Sequence, residues 1–268
     1  MRMDSAVERE VADRMRFALD VADRVAEFVL RYFRTDELQV ETKGDSTPVT
    51  IADRDGERLI REQIAISFPE DGILGEEHGE KAGGVFRWIL DPIDGTESFV
   101  RGVPLFGTLI GLEWNHQPIG GILGLPALGE RVYAWRGHGA WQVRAGSRPR
   151  PARVSRVESP AASLLCTTSA GAFRQAGLGA LWDTLADRFG KTRGWGDCYA
   201  YAMVATGRAE AAIDPRMHIW DCAPLLPILE EAGGRFTDWN GDATIDGGNA
   251  IASNGQFHEE LIELLERG

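Results

Sequence analysis

Cysteine is scarce in this chain: Cys166, Cys198 and Cys222 are the three it has in 268 residues, and no two form a C-x-x-C pair. An odd count at long spacings gives no basis for a disulfide framework or a thiolate zinc site, and a reducing compartment fits best. Long apolar runs are missing too. None approaches the roughly 20 residues that cross a bilayer. The stretch from Val7 to Phe33 alternates apolar with charged residues and lacks the continuous apolar core of a signal peptide. These absences predict a cytoplasmic protein with no membrane partner. Basic charge is also short, with 29 Lys and Arg against 41 Asp and Glu and a formal net charge of −12. A nucleic-acid binder normally presents a basic face. The cluster Arg144, Arg148, Arg150, Arg153 and Arg156 reads as a solvated loop, so no nucleic-acid partner is expected.

What is present suits a globular protein with a full core: 43% hydrophobic and 26% charged residues, in a length that makes one large domain or two small ones. Val7, Val11, Met15, Ala18, Val21, Val25, Phe28 and Tyr32 recur at three- and four-residue steps, which predicts a long amphipathic helix over 5–33. A polar loop over 43–48, a short strand from Val49 and a second helix over 53–68 follow. Apolar stretches at 86–90, 105–113, 119–125 and 131–135, with a further strand after the turn at 137–141, predict a mostly antiparallel sheet. Pro149, Pro151 and Pro160 mark a boundary near 145, dividing a 1–145 domain with the large sheet from a 146–268 domain. In the second half strands at 163–168 and 209–214 alternate with helices at 178–189, 199–206 and 220–232, an α/β pattern. A terminal amphipathic helix spans 259–267. His116, His138 and His258 read as surface residues.

The most informative stretch is Trp88-Ile89-Leu90-Asp91-Pro92-Ile93-Asp94-Gly95-Thr96. An apolar strand ends in a carboxylate, and Pro92 restricts the backbone so that Asp91 and Asp94 can turn to one side. Gly95 permits a tight turn, and a helix opening at Thr96 would offer unpaired amides to a phosphate. Hard cations such as Mg²⁺ prefer carboxylate oxygens and acidify bound water. Two further segments carry candidate acids. Gly75-Glu76-Glu77-His78-Gly79 follows an apolar strand, with Glu76 the candidate ligand. Trp220-Asp221 opens an apolar helix, where Asp221 reads equally as an N-terminal cap. No Cys or His is placed for a covalent phospho-enzyme, which favours direct attack by water.

Taken together, these segments resemble the inositol monophosphatase superfamily over nearly the whole chain. Lys43-Gly44-Asp45, 49–53 and Glu231-Ala232-Gly233-Gly234 also lie where that family carries similar segments. The resemblance implies a layered α/β/α/β/α sandwich of mixed α/β class, a homodimer, and phosphomonoester hydrolysis with two or three Mg²⁺ ions open to lithium competition. It implies that Glu76, Asp91, Asp94, Asp221 and the Ile93 carbonyl hold the ions. Thr96 and Asp53 would orient the attacking water, with Glu76 among the catalytic group. The Gly95 and Thr96 amides would hold phosphate.

The resemblance implies a small phosphorylated metabolite as substrate, and its identity must come from residues outside the expected metal core. Arg193-Gly194-Trp195-Gly196-Asp197-Cys198-Tyr199 and Phe236-Thr237-Asp238-Trp239 resemble the histidinol-phosphatase branch. L-Histidinol phosphate carries an ammonium and an imidazole that Asp197 and Asp214 could pair with, and Arg193 joins the candidate substrate residues. The alternatives are that Asp197 only caps its helix, that the substrate is inositol 1-phosphate or another sugar or nucleotide phosphate, or that the fold serves as a non-catalytic binder. His218 could line the pocket. Trp195 and Trp239 could wall it or pack in the core.

Overall fold

The computed structural model describes residues 4–36, 38–42, 44 and 48–266. The predicted loop at 43–48, and with it Lys43 and Asp45, falls largely outside the described residues. Helix α1 (Ser5–Leu30) starts where the Asp4 carboxylate accepts from the amides of Ala6 and Val7 at 2.9 and 3.0 Å. Strands β1 (Val40–Thr42) and β2 (Pro48–Thr50) form a small antiparallel ladder. Helix α2 (Ile51–Ser67) begins on a reciprocal cap. The Thr50 hydroxyl accepts from the Ala52 amide, and the Asp53 carboxylate accepts from the Thr50 amide at 2.8 Å.

A large sheet follows: β3 (Gly72–Gly75), β4 (Gly79–Lys81), β5 (Phe86–Asp94), β6 (Gly107–Trp114), β7 (Gln117–Leu125), β8 (Glu130–Trp135), β9 (Ala140–Arg144) and β10 (Arg150–Pro151), with the short helix α3 (Thr96–Val100) between β5 and β6. Its order is β10-β9-β8-β7-β6-β5-β3-β4, antiparallel except where β3 runs parallel to β5. The second half supplies β11 (Leu164–Cys166), α4 (Ala170–Gln175), α5 (Gly179–Arg188), β12 (Lys191–Arg193), α6 (Asp197–Ala205), β13 (Ala211–Asp214), α7 (Ile219–Glu231), β14 (Arg235–Thr237), β15 (Ala250–Ser253) and α8 (His258–Glu266). These strands form a five-stranded sheet in the order β12-β11-β13-β15-β14.

Alternation along the strands sorts the layers. On β5, Trp88 and Leu90 face α1 and α2, packing with Met15, Val25 and Ile60. Ile89 faces the other way and joins Leu109 and Leu123 against Val204 of α6 and Leu225 of α7. Those two helices bury their far side on Phe236 and Ala252 of the small sheet. Phe173, Leu185 and Leu261 of α4, α5 and α8 close the outer face over Leu165, Ile213 and Ile251. The layers therefore run α/β/α/β/α, as the resemblance implied. Close approach of α7 requires bare backbone on the sheet: a Cβ at Gly121 would sit 2.2 Å from the Pro224 carbonyl oxygen.

Residue 145 lies in the turn of the β9–β10 hairpin, so the chain leaves the large sheet only after Pro151. The strand expected over 86–90 runs on to Asp94, with its register against β6 shifting between Asp91 and Asp94. His258 is not a surface residue. Docking of α8 leaves it 1% exposed, with Nδ1 at 2.8 Å from Ser253 Oγ and Nε2 at 2.9 Å from Thr237 Oγ1. Burial pushes its pKa down to about 4.

Candidate active site

The irregularity at the end of β5 brings its two carboxylates to one cleft. Pro92 has no amide to give the ladder, the register slips there, and Asp91 turns so that its Oδ1 accepts from the Ile93 amide at 3.0 Å. Asp221 enters from the first turn of α7, where its Oδ2 accepts from the His218 amide at 2.7 Å. This satisfies the capping interpretation and still leaves the carboxylate in the cleft. Oxygens of Asp91, Asp94 and Asp221 lie within 4.8 Å of one another. Glu76, directly after β3, lines the same 250 Å³ cleft together with Ile93, Gly95 and Thr96. His218 and Trp220 stack on each other at its rim, ring centroids 4.9 Å apart.

These acids are held against their own repulsion. Burial raises the Asp91 pKa well above the ordinary carboxylate value, and the charges of Glu76, Asp94 and Asp221 raise it further. Burial and then the Asp221 charge push Asp94 up to about 7, although the Cys198 amide donates to its Oδ2 at 2.5 Å. Burial takes Asp221 to about 7 as well, partly opposed by the His218 amide and reinforced by Glu76. Clustered, partly buried oxygens with raised pKa values form a donor set for a hard divalent cation, whose charge removes the repulsion. The residues present fit such an ion.

Beside the acids stands a hydroxyl pair. Thr96 Oγ1 lies 3.1 Å from Asp53 Oδ1 and 3.0 Å from the Ile93 carbonyl oxygen. Asp53 is fixed through its other oxygen by the Thr50 hydroxyl at 2.5 Å. Its pKa is raised by burial, against the pull of the Thr50 hydrogen bonds.

The predicted substrate residues separate into three kinds. Asp197 has φ +50, a left-handed conformation costly for a residue with a side chain, and its amide donates to Thr168 Oγ1 at 2.9 Å. Its side chain makes no helix-capping bond, since Gly196 is the N-cap of α6. It lines both the cleft and an adjoining 220 Å³ chamber shared with Thr168, Asp214, Arg216 and Met217. Asp214 borders that chamber, but its oxygens already accept from Thr167 Oγ1 at 3.0 Å, the Thr168 amide at 2.7 Å and the Tyr201 hydroxyl at 3.0 Å. Arg193 lines neither space. It is exposed at the end of β12, with its guanidinium over the Trp195 ring. Trp239 packs against Phe173 beneath the small sheet, and Trp195 is exposed. Thr168 and Cys198 carry no motif of their own and act through contacts distant in sequence: Thr168 meets Asp197 and Asp214 within the second half, and the Cys198 amide reaches Asp94 in the first.

Comparison with known proteins agrees with the sequence resemblance. The model of the inositol monophosphatase family matches residues 10–268. The chain belongs to the inositol monophosphatase family. Among members, a histidinol-phosphatase of Chlorobaculum parvum is 43% identical over 95% of this chain and 97% of its own length. A histidinol-phosphatase of Mycobacterium tuberculosis is 39% identical over 96% and 99%. The solved inositol monophosphatase of Thermotoga maritima superposes with a TM-score of 0.82 at 31% identity, covering 95% of this chain and 97% of that one. The extragenic suppressor protein suhB of Bartonella henselae gives 0.87 at 29% identity, covering 96% and 99%. The layered sandwich is thus the fold of this family.

Proposed function

We propose that the protein is a Mg²⁺-dependent phosphatase of L-histidinol phosphate, releasing L-histidinol and inorganic phosphate. The observation that carries this reading is the position of Asp197, a carboxylate held in a left-handed turn between the acidic cleft and a second acidic chamber. A phosphomonoester bound at the cleft would extend its other end toward that carboxylate, and a cationic end gains there what a neutral polyol cannot. The two histidinol-phosphatase relatives support the same substrate.

Glu76, Asp91, Asp94, Asp221 and the Ile93 carbonyl would hold two or three Mg²⁺ ions. When bound, Mg²⁺ supplies charge to phosphoryl oxygens and acidifies water. The chain's own groups do the rest. Thr96 Oγ1, which donates its hydrogen bond to Asp53 Oδ1 3.1 Å away, turns its lone pairs outward to accept a hydrogen bond from the attacking water and so orients it. Asp53 stays in place because Thr50 holds its second oxygen. The Gly95 and Thr96 amides hold the phosphoryl group at the start of α3, and Asp197 orients the amine-bearing end.

Phosphate release should be measured with MgCl₂ on histidinol phosphate, inositol 1-phosphate, fructose 1,6-bisphosphate and 3′-phosphoadenosine 5′-phosphate. A kcat/KM highest on histidinol phosphate is expected. Preference for an uncharged polyol phosphate would reject the substrate, and no release from any ester would reject the phosphatase reading itself.

A further inference from the structure

Glu57 is a charged side chain with no exposure at all, and nothing in the catalytic scheme above uses it. It stands one helical turn after Asp53 on α2, so both carboxylates project from the same helix face. Asp53 reaches Thr96, whereas Glu57 reaches the β3–β4 turn. Its Oε2 accepts from the Glu77 amide at 2.7 Å, and its Oε1 accepts from the His78 amide at 3.2 Å and from Arg61 Nε at 2.6 Å. The carboxylate lies flush on the strand end: a Cβ at Gly75 would fall 2.1 Å from Oε1. Gly75 is therefore bare because Glu57 occupies the space a side chain would need.

The residue between Gly75 and Glu77 is Glu76. Its own amide donates to the Leu90 carbonyl at 3.2 Å, which ties it to β5, and the next amide is tied to Glu57. Glu76 is thus gripped on both sides. Arg61 extends the grip by donating to the Gly79 carbonyl, and His78 Nε2 lies 2.9 Å from the Arg54 carbonyl oxygen. The grip has something to resist, because Glu76 lines one cleft with Asp91, Asp94 and Asp221, and carboxylates that converge without a cation between them repel. A turn carrying a charge toward like charges swings outward unless its backbone is fixed.

We propose that Glu57 is a positioning residue that holds the Glu76 turn against this repulsion, so that Glu76 is already in place when a divalent cation enters. The inference rests on the metal-site reading of Glu76, not on the identity of the substrate. Residues that orient metal ligands from behind characteristically change ion affinity about 10- to 100-fold when replaced.

The test is a double-mutant cycle on ion binding, read by titration calorimetry of the purified, chelator-treated full chain with MgCl₂. Glu57→Gln is expected to raise the Mg²⁺ Kd about tenfold or more. Glu76→Gln raises it by itself, and Glu57→Gln/Glu76→Gln should bind no more weakly than Glu76→Gln alone, because Glu57 works only through Glu76. An unchanged Kd in Glu57→Gln, or losses that multiply in the double variant, would overturn the proposal. If Glu57→Gln does not fold, the cycle is run with Arg61→Gln, for which the same coupling and a smaller loss are expected and independent losses overturn it. A Glu76→Gln variant that binds Mg²⁺ as the parent does would instead reject the metal-site reading.

Discussion

Two buried acids on either side of Trp88 show opposite ways of paying for a charge. Asp71 is 4% exposed and fully matched: Arg14 donates to it twice, at 2.8 and 2.9 Å, and Trp88 Nε1 donates at 2.9 Å. The Arg14 guanidinium lies over the rings of Phe68 and Phe86, 4.6 and 3.8 Å from their centroids, so its own charge is packed as well as paired. Asp91, farther along β5, is 2% exposed and faces Glu76, Asp94 and Asp221. The first site is complete within the polypeptide and stabilises the fold. The second is incomplete by charge and is relieved only by protons or by a cation. Asp71 is compensated by the chain, whereas Asp91 stands in an acidic cluster whose oxygens could hold a metal ion.

The sharpest way to break this comparison is to neutralise one acid in each place. Asp91→Asn should lower kcat/KM about 10²- to 10³-fold, the scale for losing one group that stabilises charge in the transition state. In chelator it should nevertheless raise Tm, because it removes a repelling charge. Steady-state kinetics and a thermal melt on the same sample check both halves, and a lower Tm in chelator would contradict the assignment of Asp91 to a repelling cluster. Asp71→Asn should do the reverse. Leaving Arg14 buried without its partner costs about 3–5 kcal/mol. Denaturant unfolding should show this, with kcat at saturating MgCl₂ little altered in the folded fraction.

The pH dependence of stability sharpens the contrast further. Asp94 and Asp221 protonate near pH 7 when folded, against an ordinary value of 3.8. Between these values the folded state binds more protons than the unfolded one, so stability falls as pH rises from about 4 to about 7 and the loss is complete above that. Ion-free protein should therefore melt at higher temperature at pH 5.5 than at pH 8. Saturating MgCl₂ should raise Tm most at pH 8 and flatten the difference. An ion-free Tm that climbs from pH 5.5 to 8 would oppose the cluster's electrostatics. The smallest effect expected concerns specificity. Asp197→Asn should lower kcat/KM on histidinol phosphate about tenfold, roughly the worth of one charge-assisted contact, while 4-nitrophenyl phosphate changes little. Equal losses on both esters would remove Asp197 from substrate recognition.

Local chemistry made part of this legible in advance. The strand, proline, two acids, glycine and threonine at 88–96 are neighbours in sequence, and the geometry they impose is short-ranged. The 3.6-residue periodicity of α1 and the alternation on β5 to β8 likewise follow from which faces must be buried. Other features depend on chain segments that meet only in the fold. His258 read as a surface residue because nothing near it announces Ser253 and Thr237 as partners on two strands. Asp214 reads as a partner for a substrate cation, and in the fold Thr167, Thr168 and Tyr201 converge on it. The contacts of Glu57 likewise depend on the β3–β4 turn that the fold lays against it.

Local chemistry set the stretch that carries the acids, through the backbone limits of Pro92 and Gly95, while the family and its layered architecture were implied by the resemblance of several such segments in order along the chain. Packing between distant segments sets which carboxylates the chain itself satisfies, as it does Asp71, and which stay clustered without a partner cation, as at Asp91, Asp94 and Asp221. That division depends on the distance from each oxygen to donors brought by other strands and helices, and burial multiplies the consequence of every such distance.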